Sequence, residues 1–323
     1  MRKAFTPSGA KDDTPDAQVL LSLLVHHLEP LRPLQPADAL TRRLDTLCQL
    51  RRKSVDQRTQ VGNQLRAALK GYYPQALELV GETLHSPLAL DFLQRWPDLI
   101  SLKAARPSTL KAFYYRHNVR RPETVTERLQ RIQAAVALTT DETIVAVGSR
   151  EVARLIAGLT VLQKHLHQDE ALIAQALAAH PEAALFRDLP GAGPMLAPRL
   201  VVAFGTDRSP YPDADALQRY GGVAPVKEKS GGRVWVHWRW NAPRFLRQTL
   251  IEWAGQTVLY CDWARAYYEQ QKKRGKRHWA ILRSLAFIWV RILWKCSQTR
   301  TPYQEATYVA ALRRRGSQLV PAA

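Results

Sequence analysis

The sequence predicts a mainly α fold: an antiparallel coiled coil of two long helices, joined to a small α-rich C-terminal domain with a glycine–proline turn and a short β ribbon. Three observations predict it. From Ala37 onward Leu40, Leu44, Leu47 and Leu50 recur at spacings of three and four, continued more loosely by Val55, Val61, Leu65 and Leu69, which is the period of an amphipathic helix. Val152, Leu155, Leu159, Leu162 and Leu166 form a second stripe of the same period, and a long rod with an apolar stripe needs a partner. Val234 to Trp240 instead alternates branched or aromatic residues with polar ones, the period of a strand.

The elements follow in order. Residues 1–17 are polar, and Val19 to Leu28 is an apolar helical stretch stopped by Glu29-Pro30 and Pro33, since proline disfavours helix at the residue before it. The linker PLRPLQP leads to the first long helix. Between the two stripes Pro74, Pro87, Pro97, Pro107 and Pro122 recur, so short helices joined by turns are expected there. The segment WPDLISLKAARPSTLKAFYYRHN reads as a small helical cap, with nucleic-acid contact as the alternative. Pro190, Gly191, Gly193 and Pro194 make a tight turn between Leu185–Leu189 and Met195–Phe204. Helices resume at Phe245–Tyr260, Cys261–Gln271 and His278–Cys296, and Trp279, Trp289 and Trp294 are expected in the core.

Composition limits the function classes. The 323 residues, 46% of them hydrophobic, suffice for about two or three domains. Lys and Arg number 47 against 28 Asp and Glu, a net +19, and residues 181–323 hold 23 basic and 10 acidic residues, so +13 of that excess lies there. Such a field favours a polyanion. A membrane span is excluded because the longest apolar run, Leu285 to Val290, is bounded by Arg283 and Arg291, far short of the roughly 18 residues required. Cys48, Cys261 and Cys296 are too scattered for a disulfide framework or a zinc cluster. The polar N-terminus does not read as a secretory signal, so a cytoplasmic protein acting on nucleic acid is expected.

Four constellations carry chemistry. Asp13 and Asp16, three apart before an apolar helix, point to one side if a helix begins there and can supply oxygen ligands to Mg²⁺; helix capping is the plain alternative. The PGAGP turn, with Gly191 and Gly193, resembles helix-hairpin-helix turns that grip a nucleic-acid backbone without reading bases. Ser230 lies in Lys227-Glu228-Lys229-Ser230-Gly231-Gly232-Arg233, an exposed hydroxyl among cations and a candidate nucleophile for phosphate esters, with Lys227, Lys229 and Arg233 to offset charge and His237 as a candidate base. The run Lys272, Lys273, Arg274, Lys276 and Arg277 is a basic loop suited to phosphate contact.

Taken together, the segments KDDTPDA, RRLDTLCQLRRKSVDQRTQVGNQLRAALKGYYP, LPGAGP, YGGVAPVKEKSGG, NAPRFLRQTLIEWA, LAFIWVRILWKC and RTPYQEATYVAALRRRG resemble the DEDD-type transposases of the IS110 (also called IS116) family of insertion sequences. The resemblance covers nearly the whole chain. It implies a RuvC-like nuclease domain with four acidic metal ligands, a coiled-coil insertion and a C-terminal transposase domain bearing a nucleophilic serine. It also implies DNA recombination guided by a bridge RNA, with Mg²⁺ as cofactor and homo-oligomers formed through the coiled coil. Asp13 and Asp16 fall at the third and fourth acids of the metal set, and Ser230 falls at the serine. The expected division is residues 1–35 as the C-terminal part of the RuvC-like domain, 36–180 as the coiled-coil region and 181–323 as the transposase domain. The first Asp, the Glu and most of the RuvC-like sheet that the family carries have no counterpart in this sequence, so a truncated and impaired transposase is expected. A non-catalytic nucleic-acid-binding remnant is the alternative.

Overall fold

The computed structural model of the chain describes residues 13–29, 36–239, 241–317 and 319. It divides into two compact units, residues 1–38 and 39–323. In the first, α1 (Asp13–His26) opens on two acidic residues, Asp13 and Asp16, the charge that a helix N-terminus favours. None of its residues is buried. The expected features at residues 1–12 and 30–35, including most of the Pro-rich linker, lie outside the described residues.

The second unit is organised by α2 (Ala39–Tyr72) and α8 (Glu142–Ala178). At about 1.5 Å per residue each is a rod of roughly 50 Å. Their cross-contacts run in opposite directions: Thr41 meets His180, Arg51 meets Glu170 and Arg58 meets Gln163, so the pair is antiparallel. The Asp141 side chain accepts from the Thr143 and Ile144 amides and caps the start of α8.

Between the rods lie α3 (Gln75–Val80), α4 (Pro87–Arg95), α5 (Leu99–Lys103), α6 (Pro107–Arg116) and α7 (Pro122–Ala134). The prolines work as helix starters: α4, α6 and α7 each carry one in their first turn, where no intrahelical N–H is needed. These helices close over one core. Phe92, Trp96, Phe113 and Tyr114 pack ring to ring with Leu65 and Leu69 of α2 and Val152, Leu155 and Leu159 of α8. These short helices pack as a helical cap with Trp96, Phe113 and Tyr114 inside and Tyr115 exposed.

A second core lies at the other end of the pair. Leu44 and Cys48 of α2 and Ile173 and Leu177 of α8 pack with the C-terminal elements. These are α9 (Ala183–Arg187), α10 (Gly193–Phe204), α11 (Ala214–Tyr220), a ribbon of β1 (Pro225–Ser230) and β2 (Arg233–Trp238), α12 (Arg244–Tyr260), α13 (Asp262–Lys273), α14 (His278–Thr299) and α15 (Glu305–Arg314). Trp253, Trp263 and Trp289 form its centre, with ring centroids 4.7 and 4.9 Å apart. Each indole N–H has a partner: Trp253 donates to the Pro190 carbonyl, Trp263 to the Tyr303 hydroxyl and Trp289 to Thr257 Oγ1. Burying these large rings without leaving a polar N–H unpaired is what makes an aromatic centre favourable.

Two ionic clusters fasten the second core. Glu182 is 5% exposed and receives both Arg208 and Arg300. Glu252 of α12 receives Arg199 of α10 at 2.5 Å and Arg52 of α2 at 3.6 Å. Between the two cores the α2–α8 seam is polar, with Ser54 and Asp169 buried and the Arg51–Glu170 pair at 2.8 Å. Trp289 is in the core as expected and Trp294 is half-buried, but Trp279 is 63% exposed. Its position two residues past the basic turn, in the first turn of α14, puts it beyond the packed stretch that begins at Ile281. No helix among the described residues is long and apolar enough to cross a membrane.

Candidate functional site

Ser230 is the last residue of β1, at the tip of a two-stranded antiparallel ribbon. The loop is Gly231-Gly232, with φ of +55° and +76°. A two-residue turn with both φ positive is the connection whose twist matches a hairpin, and glycine takes it without strain. Space is not the reason, since nothing stands within 4 Å of where a Cβ would project at either glycine. The segment that reads as a solvated serine turn is thus half of a hairpin.

The register sorts the candidate residues into two faces. Ser230 pairs with Arg233, Glu228 with Trp235 and Val226 with His237, while Lys229 pairs with Val234 and Lys227 with Val236. Opposed residues share a face and successive ones alternate. Ser230, Arg233, Glu228, Trp235 and His237 therefore lie on one face, and Lys227 and Lys229 on the other. Of the three expected cations only Arg233 is beside the serine, with Cβ atoms about 5 Å apart for such a pair.

His237 does not serve Ser230. It lies four residues beyond Arg233, about 13 Å along the ribbon, and its Nε2 stands 2.7 Å from Glu228 Oε1. A general base needs to be within about 3 Å of the proton it takes, or one water away. Ser230, Arg233 and Trp235 are all exposed, Trp235 at 49%.

The PGAGP turn sits on the tryptophan core. Gly191 has φ of +70°, and a Cβ there would come within 2.9 Å of the Gln256 backbone; the Pro190 carbonyl accepts from Trp253 Nε1 at 2.9 Å. Close packing against α12 accounts for Gly191. Gly193 differs: it is exposed, opens α10, and has nothing within 4 Å of a prospective Cβ.

Lys272 and Lys273 end α13, and Arg274, Lys276 and Arg277 lie on the turn to α14, which Gly275 closes at φ +75°; all five are exposed. Among the described residues no carboxylate pairs with any of the five. Asp13 is exposed and Asp16 half-buried in the first turn of α1. Among the described residues no three His, Cys, Asp or Glu side chains converge as a metal-binding group. Two carboxylates on one helical side fit a single hard cation completed by water and phosphate oxygens, not a two-ion centre by themselves.

The described residues thus present, on a basic and mainly helical chain, an exposed serine at a ribbon tip and a run of exposed cations, the features that suit phosphate contact. The comparisons sharpen this. Residues 183–269 match the family model described as Transposase IS116/IS110/IS902 family, and residues 1–74 match the model for the DEDD transposase of IS110. The chain is 28% identical over 311 residues to the "Mini-circle putative transposase for IS117" of Streptomyces coelicolor, covering 94% of this chain and 75% of that protein. It is 26% identical over 303 residues to the insertion element IS110 uncharacterized 43.6 kDa protein of the same organism, covering 92% and 73%. It is also 26% identical over 308 residues to the insertion element IS900 uncharacterized 42 kDa protein of Mycobacterium paratuberculosis, covering 93% and 75%. The chain belongs to the IS110/IS116 family of insertion-sequence transposases.

Sequence reasoning missed β1, the separation of Ser230 from the lysines, and the exposure of Trp279. The Gly-Gly pair before an alternating segment was the signal for the first. The run of five cations just before Trp279 was the signal for the third, and nothing local signals the second.

Proposed function

We propose that this transposase cuts and rejoins DNA strands through Ser230. The observation that carries the reading is an exposed serine at a hairpin tip with Arg233 directly opposite. In the step proposed, Ser230 Oγ bonds to phosphorus as its proton passes to water. One P–O ester bond breaks, and the departing strand oxygen takes up a proton from solvent. Attack by the hydroxyl of another strand reverses the linkage and frees the serine. Arg233 offsets the charge gathered on the phosphoryl oxygens, while Lys227 and Lys229, on the opposite face, hold backbone phosphates away from the reacting one.

Asp13 and Asp16 are proposed to hold one Mg²⁺ by a carboxylate oxygen each; when bound, such an ion supplies Lewis acidity to a phosphate oxygen. Gly193, the neighbouring Gly191 turn and the cations of 272–277 are proposed as contacts to the nucleic-acid backbone. The partners proposed are DNA, a bridge RNA from the element, and further copies of this chain assembled through the long helices.

The test is adduct trapping. The full chain is incubated with Mg²⁺, element RNA and a nicked recombination-site DNA, then digested and mapped by mass spectrometry. A DNA phosphate on Ser230, absent in Ser230→Ala although that variant still binds DNA, is expected. Strand transfer by Ser230→Ala at the wild-type rate rejects the proposal.

A further inference from the structure

The basic turn between α13 and α14 carries an aromatic that the packing does not use. Trp279 is 63% exposed, whereas Trp253, Trp263 and Trp289 are at most 1% exposed. Its ring is braced from one side only. His278 meets it edge to face, with centroids 5.0 Å apart, and His278 is itself held by Tyr268, whose hydroxyl lies 2.8 Å from His278 Nδ1. Tyr268 and His278 are also edge to face at 5.7 Å. Exposing an indole forgoes burial worth about 25 cal/mol per Å².

The cations at the same place are also unused by the fold. Lys272, Lys273, Arg274, Lys276 and Arg277 precede Trp279 within seven residues, all exposed and all without a carboxylate partner among the described residues. An uncharged apolar surface of a protein partner leaves five like charges uncompensated on docking. A polyanion with flat apolar faces uses both features at once.

We propose that Trp279 is a stacking platform for an unpaired base of single-stranded nucleic acid, whose phosphates run over the 272–277 turn. A base inside a duplex has both faces covered by its neighbours, so only an unstacked base offers the indole a partner. The His278–Tyr268 brace keeps the ring from turning away. Single-stranded DNA opened during strand exchange and a loop of a guide RNA share this chemistry. The inference rests on the nucleic-acid reading of the turn and adds which form of nucleic acid it holds.

The experiment measures binding of the full chain to three labelled 12-mers, single-stranded RNA, single-stranded DNA and duplex DNA, by fluorescence anisotropy over a range of salt. Trp279→Ala is expected to weaken single-strand binding by roughly 5- to 150-fold, the range for loss of one base–aromatic stack. Trp279→Phe should recover most of it. Duplex affinity and the slope of log K against log salt should stay within error of wild type, because no phosphate contact is removed. Whichever of RNA or DNA loses more identifies the strand that uses the platform. Equal losses on strands and duplex, or no loss on strands, overturn the inference while leaving the nucleic-acid reading in place. A wild-type chain that binds none of the three overturns both.

Discussion

Replacing Gly191 by alanine tests whether the PGAGP turn is built for packing or for phosphate. The φ of +70° at Gly191 costs an L-residue about 1–2 kcal/mol. The added Cβ, 2.9 Å from the Gln256 backbone, adds overpacking of about 1–3 kcal/mol, because backbone in the middle of α12 cannot step aside as a side-chain tip can. The total is about 2–5 kcal/mol. Gly193→Ala has φ of +55° but nothing within 4 Å, so only the conformational cost of about 1–2 kcal/mol remains. Urea unfolding followed by tryptophan fluorescence reports on this site directly, since Trp253 donates to the Pro190 carbonyl. At a slope of roughly 2–3 kcal/mol/M, the overpacking difference of about 1–3 kcal/mol should separate the two midpoints by about 0.3–1.5 M, with Gly191→Ala the lower. Equal midpoints, or a larger loss at Gly193, would refute the packing argument.

Two further outcomes follow from the same core. Glu182→Gln leaves the 9%-exposed Arg208 side chain without its carboxylate and weakens the tie to Arg300. A loss of about 3–5 kcal/mol is expected in the same urea experiment, and a shift below about 1 kcal/mol would contradict it. Burial pushes the Cys48 and Cys261 thiols and the Tyr114 and Tyr211 phenols up to about 12. In the unfolded chain these groups lose protons from about pH 8.5 for the thiols and about pH 10 for the phenols. The unfolded state then holds fewer protons than the folded one, and stability falls as pH rises from about 9 towards 12. Urea midpoints at pH 8 and pH 10.5 should show the fall, flattened in Cys48→Ala; a constant or rising midpoint would refute it.

Much of the helical frame was legible because prolines and apolar periods are local. Pro87, Pro107 and Pro122 start helices as their chemistry requires, and of the second stripe Val152, Leu155, Leu159 and Leu166 are buried while Leu162 is half-buried. The first stripe was only partly right. Leu40 and Leu50 are 37% and 48% exposed, whereas Thr41, Cys48 and Ser54 are buried. Spacings of four, three and three among leucines drift off a seam that needs 3.5 residues per turn on average. The true seam runs through polar residues whose partners are more than a hundred positions away, as Arg51 is from Glu170, and no local pattern reveals that. β1 escaped notice because Pro225–Ser230 has no apolar alternation; it is a strand because β2 and the glycine turn make it one. Trp279 was assigned to the core because tryptophan usually is buried on average, a rule that an unpartnered cation run beside it should have weakened.

The ribbon changes what the serine segment means. A string of cations around a serine suggests a single positive pocket, yet a strand divides its residues between two faces, and here Lys227 and Lys229 part company with Ser230. Charge compensation at the serine then rests on Arg233 alone within the ribbon, and the one imidazole on that face is tied to Glu228 at 2.7 Å. Attack by Ser230 Oγ on a phosphodiester releases one proton, and among the described residues of the ribbon the imidazole is engaged with Glu228 and is not within reach to take it. In the proposed transfer that proton passes to water, and Arg233 is the ribbon cation placed to offset the charge gathered on the phosphoryl oxygens.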